Sequence, residues 1–540
     1  MKGECLVKEI QMKNFRSLKD TGMQTLSPIT ILVGENSSGK STFLRAFPLL
    51  KQSISKRTSG PILWAGDVDD YVDFGSFEET VTNDGSDDIA FGFCFSIGER
   101  EAFQNHYFSS LYNKKSDSLS RKIQVKYEIK IASKEGKDHV SALILTINAF
   151  RVEFDLINKT ISTNGGLSYS VPNQKDMAQS VELKGAEYYM YFRTYCTSFG
   201  FSLPEIDDLW NSVIKKNQKR DSNYEGHLLV EASVLVGALL TESTSVTIPK
   251  VDQQKVNAQK IGPAQRLPEF YFHIADSIKS DQTGKTAEIF KLCFVYDLFS
   301  TIDEYIYTYF KQVHYMAPLR ATAERYYRLR NLAVDEVDYQ GKNLPIFINS
   351  LTTEQHEQFK AWTDEHFGFT VDTDKSGGHL SLQIKLKGSN KKINLSDTGF
   401  GYSQVLPIIT QMWELSALPR LTQTHYYRMS NSLPLVIAIE QPELHLHPAI
   451  QARLAKAFIA CIDLARKNKR ELQLIIETHS ETIVNYFGRA ISRKQLKPQD
   501  VSVIIFEKGS EDGSTNVLNS NYDEDGFLTN WPYGFFDSEE

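Results

Sequence analysis

Residues 34 to 41, Gly34-Glu35-Asn36-Ser37-Ser38-Gly39-Lys40-Ser41, have the types and spacing that binding a phosphate chain requires, G-x-x-x-x-G-K-[ST]. Glycines let the backbone wrap phosphate oxygens with its N–H groups, and a helix starting there adds the favourable end of its dipole. Lys40 is placed to reach the outer phosphates, and the Ser41 hydroxyl to ligate Mg2+. The candidate nucleotide contacts are therefore Asn36, Ser37, Ser38, Gly39, Lys40, Ser41 and Thr42, with ATP and Mg2+ the expected cofactors.

Such a loop needs a carboxylate at the end of a buried strand. Leu435-Val436-Ile437-Ala438-Ile439-Glu440 has that form, a Walker B strand, and Glu440 with Ser41 makes the candidate metal pair. Glu440 and the residues after it, Gln441-Pro442-Glu443-Leu444-His445-Leu446-His447-Pro448, resemble the E-[EQ]-P-E-x-H-L-H-P string of the OLD-like and Septu-type ATPases. The resemblance implies an ABC-type head, in which the residue after the metal carboxylate is a glutamate that orients or deprotonates the attacking water. Here it is Gln441. An amide positions water by hydrogen bonds but takes no proton near neutral pH, so general-base help worth roughly 10² to 10⁴ in rate is missing and slow hydrolysis is expected. Glu443 is the alternative base, although two positions along an irregular turn its side chain need not face the same way.

The same resemblance makes His479 the switch histidine at the terminal phosphate, completing a catalytic set of Glu440, Gln441 and His479. Asp397-Thr398-Gly399-Phe400-Gly401-Tyr402-Ser403-Gln404 resembles the divergent ABC signature loop. That implies that Gly399, Gly401, Ser403 and Gln404 reach the nucleotide of a second copy when heads dimerise. His445 and His447 fall in the dimer-facing D-loop, and with no third ligand identifiable a structural or interface role is expected rather than a metal pair.

Four further segments frame the chain: Ile10-Gln11-Met12-Lys13-Asn14-Phe15-Arg16-Ser17, Asp73-Phe74-Gly75-Ser76-Phe77, Ala317-Pro318-Leu319-Arg320 and Trp531-Pro532-Tyr533-Gly534-Phe535-Phe536-Asp537. All resemble segments of PtuA-type ATPases, the ATPase components of Septu anti-phage systems, some of them associated with retrons. The resemblance implies as partners a second copy of the chain, an HNH nuclease subunit and, in retron-linked versions, a reverse transcriptase with its DNA–RNA product. Lys13, Asn14 and Arg16 either help hold the nucleotide or end a solvated strand, and Arg320 either serves the site or forms a salt bridge.

The elements that must position these residues are legible in part. Ile29 to Val33 predicts a strand and Ser41 to Leu50 a helix, on either side of the loop. Leu435 to Ile439, Leu472 to Ile476 and Val501 to Phe506 are predominantly apolar runs, as expected for parallel strands covered on both faces. Ile450, Leu454, Ala457, Phe458, Cys461 and Leu464 have helical spacing. Gln124 to Ala132 and Ala142 to Leu156 predict an antiparallel sheet, and Leu228 to Leu240 and Ala287 to Tyr309 predict helices. The expected fold class is α/β: a split ABC-type ATPase head with a mostly parallel RecA-like sheet, an antiparallel β subdomain and a helical insertion. Its lobes are placed at 1–178 and 313–540, with the insertion at 179–312.

Composition excludes some alternatives. With 41% hydrophobic and 24% charged residues, the 540-residue chain is ordinary globular material. A net charge of -7 argues against a basic coat but leaves a local DNA groove open. The five cysteines contain no C-x-x-C pair, which removes a disulfide framework and a zinc hook and fits a reducing cytoplasm. No apolar run approaches the roughly 20 residues that span a bilayer, so neither secretion nor a membrane partner is expected. No paired metal carboxylates suggest a nuclease site within the chain, and no long heptad array offers a coiled-coil arm. The alternative reading is a compact DNA-repair or OLD-like ATPase acting directly on DNA.

Overall fold

The structure is a computed structural model that describes residues 7–67, 70–82, 88–98, 122–158, 160–165, 168–170, 302–328, 334, 336–418, 434–509 and 514–532. The expected helix at Leu228 to Leu240 and most of the one at Ala287 to Tyr309 lie outside these residues; 302–311 is helical. Along the chain the strands are β1 (Val7–Phe15), β2 (Leu18–Asp20), β3 (Gln24–Thr25), β4 (Ile29–Gly34), β5 (Asp88–Gly98), β6 (Lys122–Lys134), β7 (Lys137–Ile147), β8 (Phe150–Asp155), β9 (Thr160–Thr163) and β10 (Ser168–Ser170). There follow β11 (Val313–Met316), β12 (Tyr327–Arg328), β13 (Phe369–Ser376), β14 (His379–Leu386), β15 (Lys392–Asn394), β16 (Leu435–Glu440), β17 (Leu472–Glu477), β18 (Val501–Lys508) and β19 (Thr515–Ser520). Besides 302–311, the helices among the described residues are α1 (Lys40–Ser55), α2 (Phe77–Thr80), α3 (Leu344–Ser350), α4 (Thr353–Phe367), α5 (Phe400–Ala417), α6 (Pro448–Lys467) and α7 (Glu481–Ser492).

Contacts divide the chain into two compact units, one of Leu6–Phe91, Ser133–Asp138 and Tyr307–Glu540, the other of Met1–Cys5, Gly92–Ala132 and His139–Ile306. The second unit carries an antiparallel ladder, with β7 paired to β8, β8 to β9 and β9 to β10. The stretch Ala142 to Leu156, read as one strand-rich run, is a hairpin that turns at Asn148, whose φ is 52°.

The first unit is built on a six-stranded sheet in the order β11-β16-β17-β4-β18-β19, parallel throughout except at β19. β4, β16 and β17 are buried at every position, which explains their mostly apolar sequence: neither face of the strand meets water, and the buried Gln473 of β17 accepts from the Tyr309 hydroxyl at 3.0 Å. α6 buries Leu454, Ala457, Phe458 and Cys461, one stripe at helical spacing, and Cys461 is so enclosed that its thiol is pushed up to about 12. α5 contributes Val405, Leu406, Ile409, Met412 and Trp413 to the same core, where Trp413 meets Phe359 of α4 at a ring separation of 4.9 Å. α4 is fixed at both ends, by a capping box between Thr352 and Gln355 and by Gly368 in the left-handed conformation. Among the described residues no helix is long and apolar enough to cross a membrane.

Trp413 is 2% exposed, so Trp413→Ala removes a full aromatic side chain from the contact with α4 and is expected to destabilise the first unit by about 3–5 kcal/mol. Chemical denaturation checks this; a change within experimental error would mean that α5 does not anchor the core.

Candidate functional site

Parallel pairing sets the carboxyl ends of three strands side by side. Glu440 at the end of β16 is in register with Glu477 at the end of β17, and Glu477 is in register with Leu32 of β4. Two residues beyond Leu32, the chain leaves β4 at Gly34, where φ is 153° and an added Cβ would lie 2.2 Å from the Phe506 carbonyl oxygen of β18. Only glycine fits between the turning loop and that strand. The loop closes with Ser37 at φ 60° and Gly39 at φ 95°, the latter immediately before α1.

Inside the loop the Lys40 ammonium donates to the carbonyl of Gly34 at 3.0 Å and to that of Glu35. Desolvation holds it below the usual lysine range against the opposing pull of Glu477, Glu35 and Glu443. The Ser38 hydroxyl is buried with no hydrogen-bond partner. The Ser41 hydroxyl donates to Oε1 of Glu477 at 2.7 Å, while the other Glu477 oxygen is buried and unpartnered. Burial first, and then the neighbouring Glu440 charge, push the Glu477 carboxyl up to about 7.

Glu440 is engaged differently. Arg45, one turn into α1, meets both of its oxygens, Nε to Oε1 at 2.6 Å and Nη2 to Oε2 at 2.8 Å, and the Tyr315 hydroxyl of β11 donates to Oε1 at 2.8 Å. The carboxylate raises the Arg45 guanidinium above its usual range. The Ser41 hydroxyl, expected to share a cation with Glu440, donates to Glu477, because β17 lies between β16 and β4. Arg320 is 4% exposed and donates through Nη2 to the Glu440 backbone carbonyl at 2.9 Å, yet its Nε and Nη1 have no partner. Desolvation brings its guanidinium down to about 10.

Past β16, Gln441 takes a left-handed φ of 41° and donates its backbone N–H to the Glu477 carbonyl at 2.9 Å. Glu443 accepts the backbone N–H of His479 at 2.7 Å, and burial raises its carboxyl. Desolvation first, and then the Lys40 charge, hold the His479 imidazole below the usual histidine range. His447 accepts the N–H of Ala449 through Nδ1 and caps α6, a structural role for half of the H-x-H pair, and no group of metal-ligating residues is found among the described residues. Gly399, at φ 88°, precedes α5 with open space beside it, Gly401 faces the His445 carbonyl, Ser403 is buried, and the Gln404 amide exchanges hydrogen bonds with the Arg320 backbone. Of the amino-terminal candidates, Asn14 donates to the Asp88 carbonyl and the Arg16 guanidinium lies 4.6 Å over the Phe74 ring.

The structure thus gathers Lys40, Ser41, Glu440, Gln441 and His479 around one sheet edge and adds three residues that sequence reading omitted: Arg45, Tyr315 and Glu477. Glu477 carried the same signal as Glu440, a carboxylate closing an apolar strand; nothing in the sequence singled out the other two. The set suits a phosphate chain with a divalent cation. It offers a buried hydroxyl without a partner, a lysine resting on loop carbonyls, and a hydroxyl–carboxylate pair with one oxygen free.

The family profile described as AAA ATPase domain matches residues 6–484. No curated protein matches the chain. Among solved structures, the Smc head bound to the C-winged helix domain of ScpA aligns at 10% identity and a TM-score of 0.32, covering 96% of this chain and 98% of that one. The SMC head domain from Thermotoga maritima aligns at 10% identity and the same TM-score of 0.32, covering 95% and 97%.

Glu440 is 2% exposed and Arg45 39%, so Arg45→Met strands a buried carboxylate. A fully buried pair broken this way costs about 3–5 kcal/mol; screening at the exposed arginine lowers the expected loss to about 2 kcal/mol. Denaturation midpoints read this loss, and adding Glu440→Gln to Arg45→Met should recover most of it. A double variant no more stable than the single one would show that the pair is not what holds this edge.

Proposed function

The chain belongs to the AAA ATPase domain family, and from that premise we propose that it binds ATP with Mg2+ at the phosphate loop and acts as a slowly hydrolysing switch. The observation that carries the proposal is the loop itself, where the Ser38 hydroxyl, the Lys40 ammonium and the Ser41 hydroxyl stand around one turn at the carboxyl end of β4. Lys40 exchanges its loop carbonyls for phosphate oxygens, and the loop N–H groups take the remaining charge. Mg2+, when bound, offsets phosphate charge during transfer. His479, held below the usual histidine range by desolvation and by Lys40, donates a ring N–H to the outer phosphate.

Hydrolysis is slow because Gln441 stands where a general base is wanted, its backbone held by Glu477 in a conformation that side chains rarely adopt. Glu443, the alternative base, accepts the His479 N–H through Oε1 and keeps Oε2 without a partner, two residues beyond the Gln441 position. The turn into α5 at Gly399 and Gly401 faces the nucleotide of a second copy, so ATP favours a head-to-head dimer, while Ser403 and Gln404 lie buried in the first turns of α5 and brace that turn from within. The open space beside Gly399 supports this.

The motif strings that frame the chain support a cytoplasmic Septu-type defence role, in which the ATP-bound dimer controls an HNH nuclease, with a retron reverse transcriptase and its DNA–RNA product as further partners in a linked version. Co-expressed with the HNH reading frame beside its gene, the protein is expected to elute with that nuclease; a genome without such a frame nearby removes this part of the reading.

Lys40→Ala is expected to abolish ATP binding in isothermal titration, since it deletes the charge at the outer phosphates; unchanged affinity in the folded variant contradicts the nucleotide site. Gln441→Glu is expected to raise single-turnover hydrolysis by about 10-fold or more. Wild-type turnover near 10 per second, typical of enzymes, would remove the slow switch.

A further inference from the structure

We propose that Glu477, rather than Glu440, is the carboxylate that holds the nucleotide's divalent cation together with Ser41. The inference rests on the reading of the loop as an ATP site and deepens it. β17 is hydrogen-bonded directly to β4, whereas β16 lies one strand further away, roughly 4.8 Å across the sheet. Of Glu440 and Glu477, Glu477 is thus the one on a strand paired with β4, and the Ser41 hydroxyl already donates to its Oε1 at 2.7 Å. Its Oε2 is buried with no partner, in a residue 1% exposed.

Glu440 has no comparable capacity. Both of its oxygens are taken by Arg45, and one also accepts from Tyr315. A hard cation prefers anionic and hydroxyl oxygens with lone pairs to spare, and Glu477 with Ser41 provides them, directly or through a coordinated water. Charge balance points the same way. Two carboxylates in register on adjacent strands repel; Arg45 neutralises one, and a cation at Ser41 neutralises the other. Glu440 then serves as a positioning residue, tying α1 to β16 and β11 through Arg45 and Tyr315.

The test is the affinity of a fluorescent ATP analogue measured in Mg2+ and in EDTA, with Mn2+ binding followed by electron paramagnetic resonance on the same samples. Wild type is expected to bind about 10-fold more tightly with Mg2+, and Glu477→Gln about equally in both buffers, a loss of about 1.4 kcal/mol of cation coupling. Glu440→Gln should keep the Mg2+ ratio. In Glu477→Gln the introduced amide oxygen still accepts from Ser41, so the variant should fold; if it does not, Glu477→Asp, which keeps the charge but withdraws it by one methylene, must weaken Mn2+ binding. An undiminished ratio in folded Glu477→Gln, undiminished Mn2+ affinity in Glu477→Asp, or a ratio lost in Glu440→Gln alone overturns the assignment. Wild type that binds no analogue in either buffer strikes the nucleotide reading instead.

Discussion

Charge buried at the carboxyl edge of a parallel sheet is the constraint around which the rest of the first unit is arranged. Lys40, Glu440, Glu477 and Arg320 are each no more than 4% exposed, and an unpaired ion in such a place costs several kcal/mol. The fold meets part of that cost within the chain. Arg45 takes Glu440, loop carbonyls take Lys40, and Ser41 takes one oxygen of Glu477. What stays unmatched is informative: Ser38 Oγ, Glu477 Oε2, Glu443 Oε2 and two nitrogens of Arg320. Buried polar groups without partners are rare in native proteins, and several in one neighbourhood mark a place where stability is subordinate to binding.

The same edge links the loops that would have to respond to a ligand. Gln441 is fastened to Glu477, His479 to Glu443, and the Ser480 hydroxyl to Gln451 of α6, whose amide in turn holds the Leu446 carbonyl. On the other side Gln404, at the start of α5, shares the Arg320 backbone, and Arg320 reaches the Glu440 carbonyl. Hydrogen bonds thus connect Glu440 and Glu477 with the turn before His479, the turn after β16 and the first turns of α5. Each link is a hydrogen bond worth about 1 kcal/mol net.

How much of this was open to reading from sequence varied by element. The phosphate loop was legible because its chemistry is local: glycines, Lys40 and Ser41 must stand in one short run to wrap a phosphate, and the flanking strand and helix follow from neighbouring apolar residues. The buried strands β4, β16, β17 and β18 were legible because covering both faces of a strand demands a mostly apolar run, and α6 because one buried face imposes helical spacing. Which carboxylate meets Ser41 was not legible. Glu440 and Glu477 end equivalent runs, and only the strand order, with β17 inserted between β16 and β4, sets Glu477 beside the loop. Arg45 and Tyr315 were invisible for the same reason: their partner, Glu440, lies 395 and 125 residues away, and pairings at that separation are decided by how the sheet assembles rather than by any pattern along the chain.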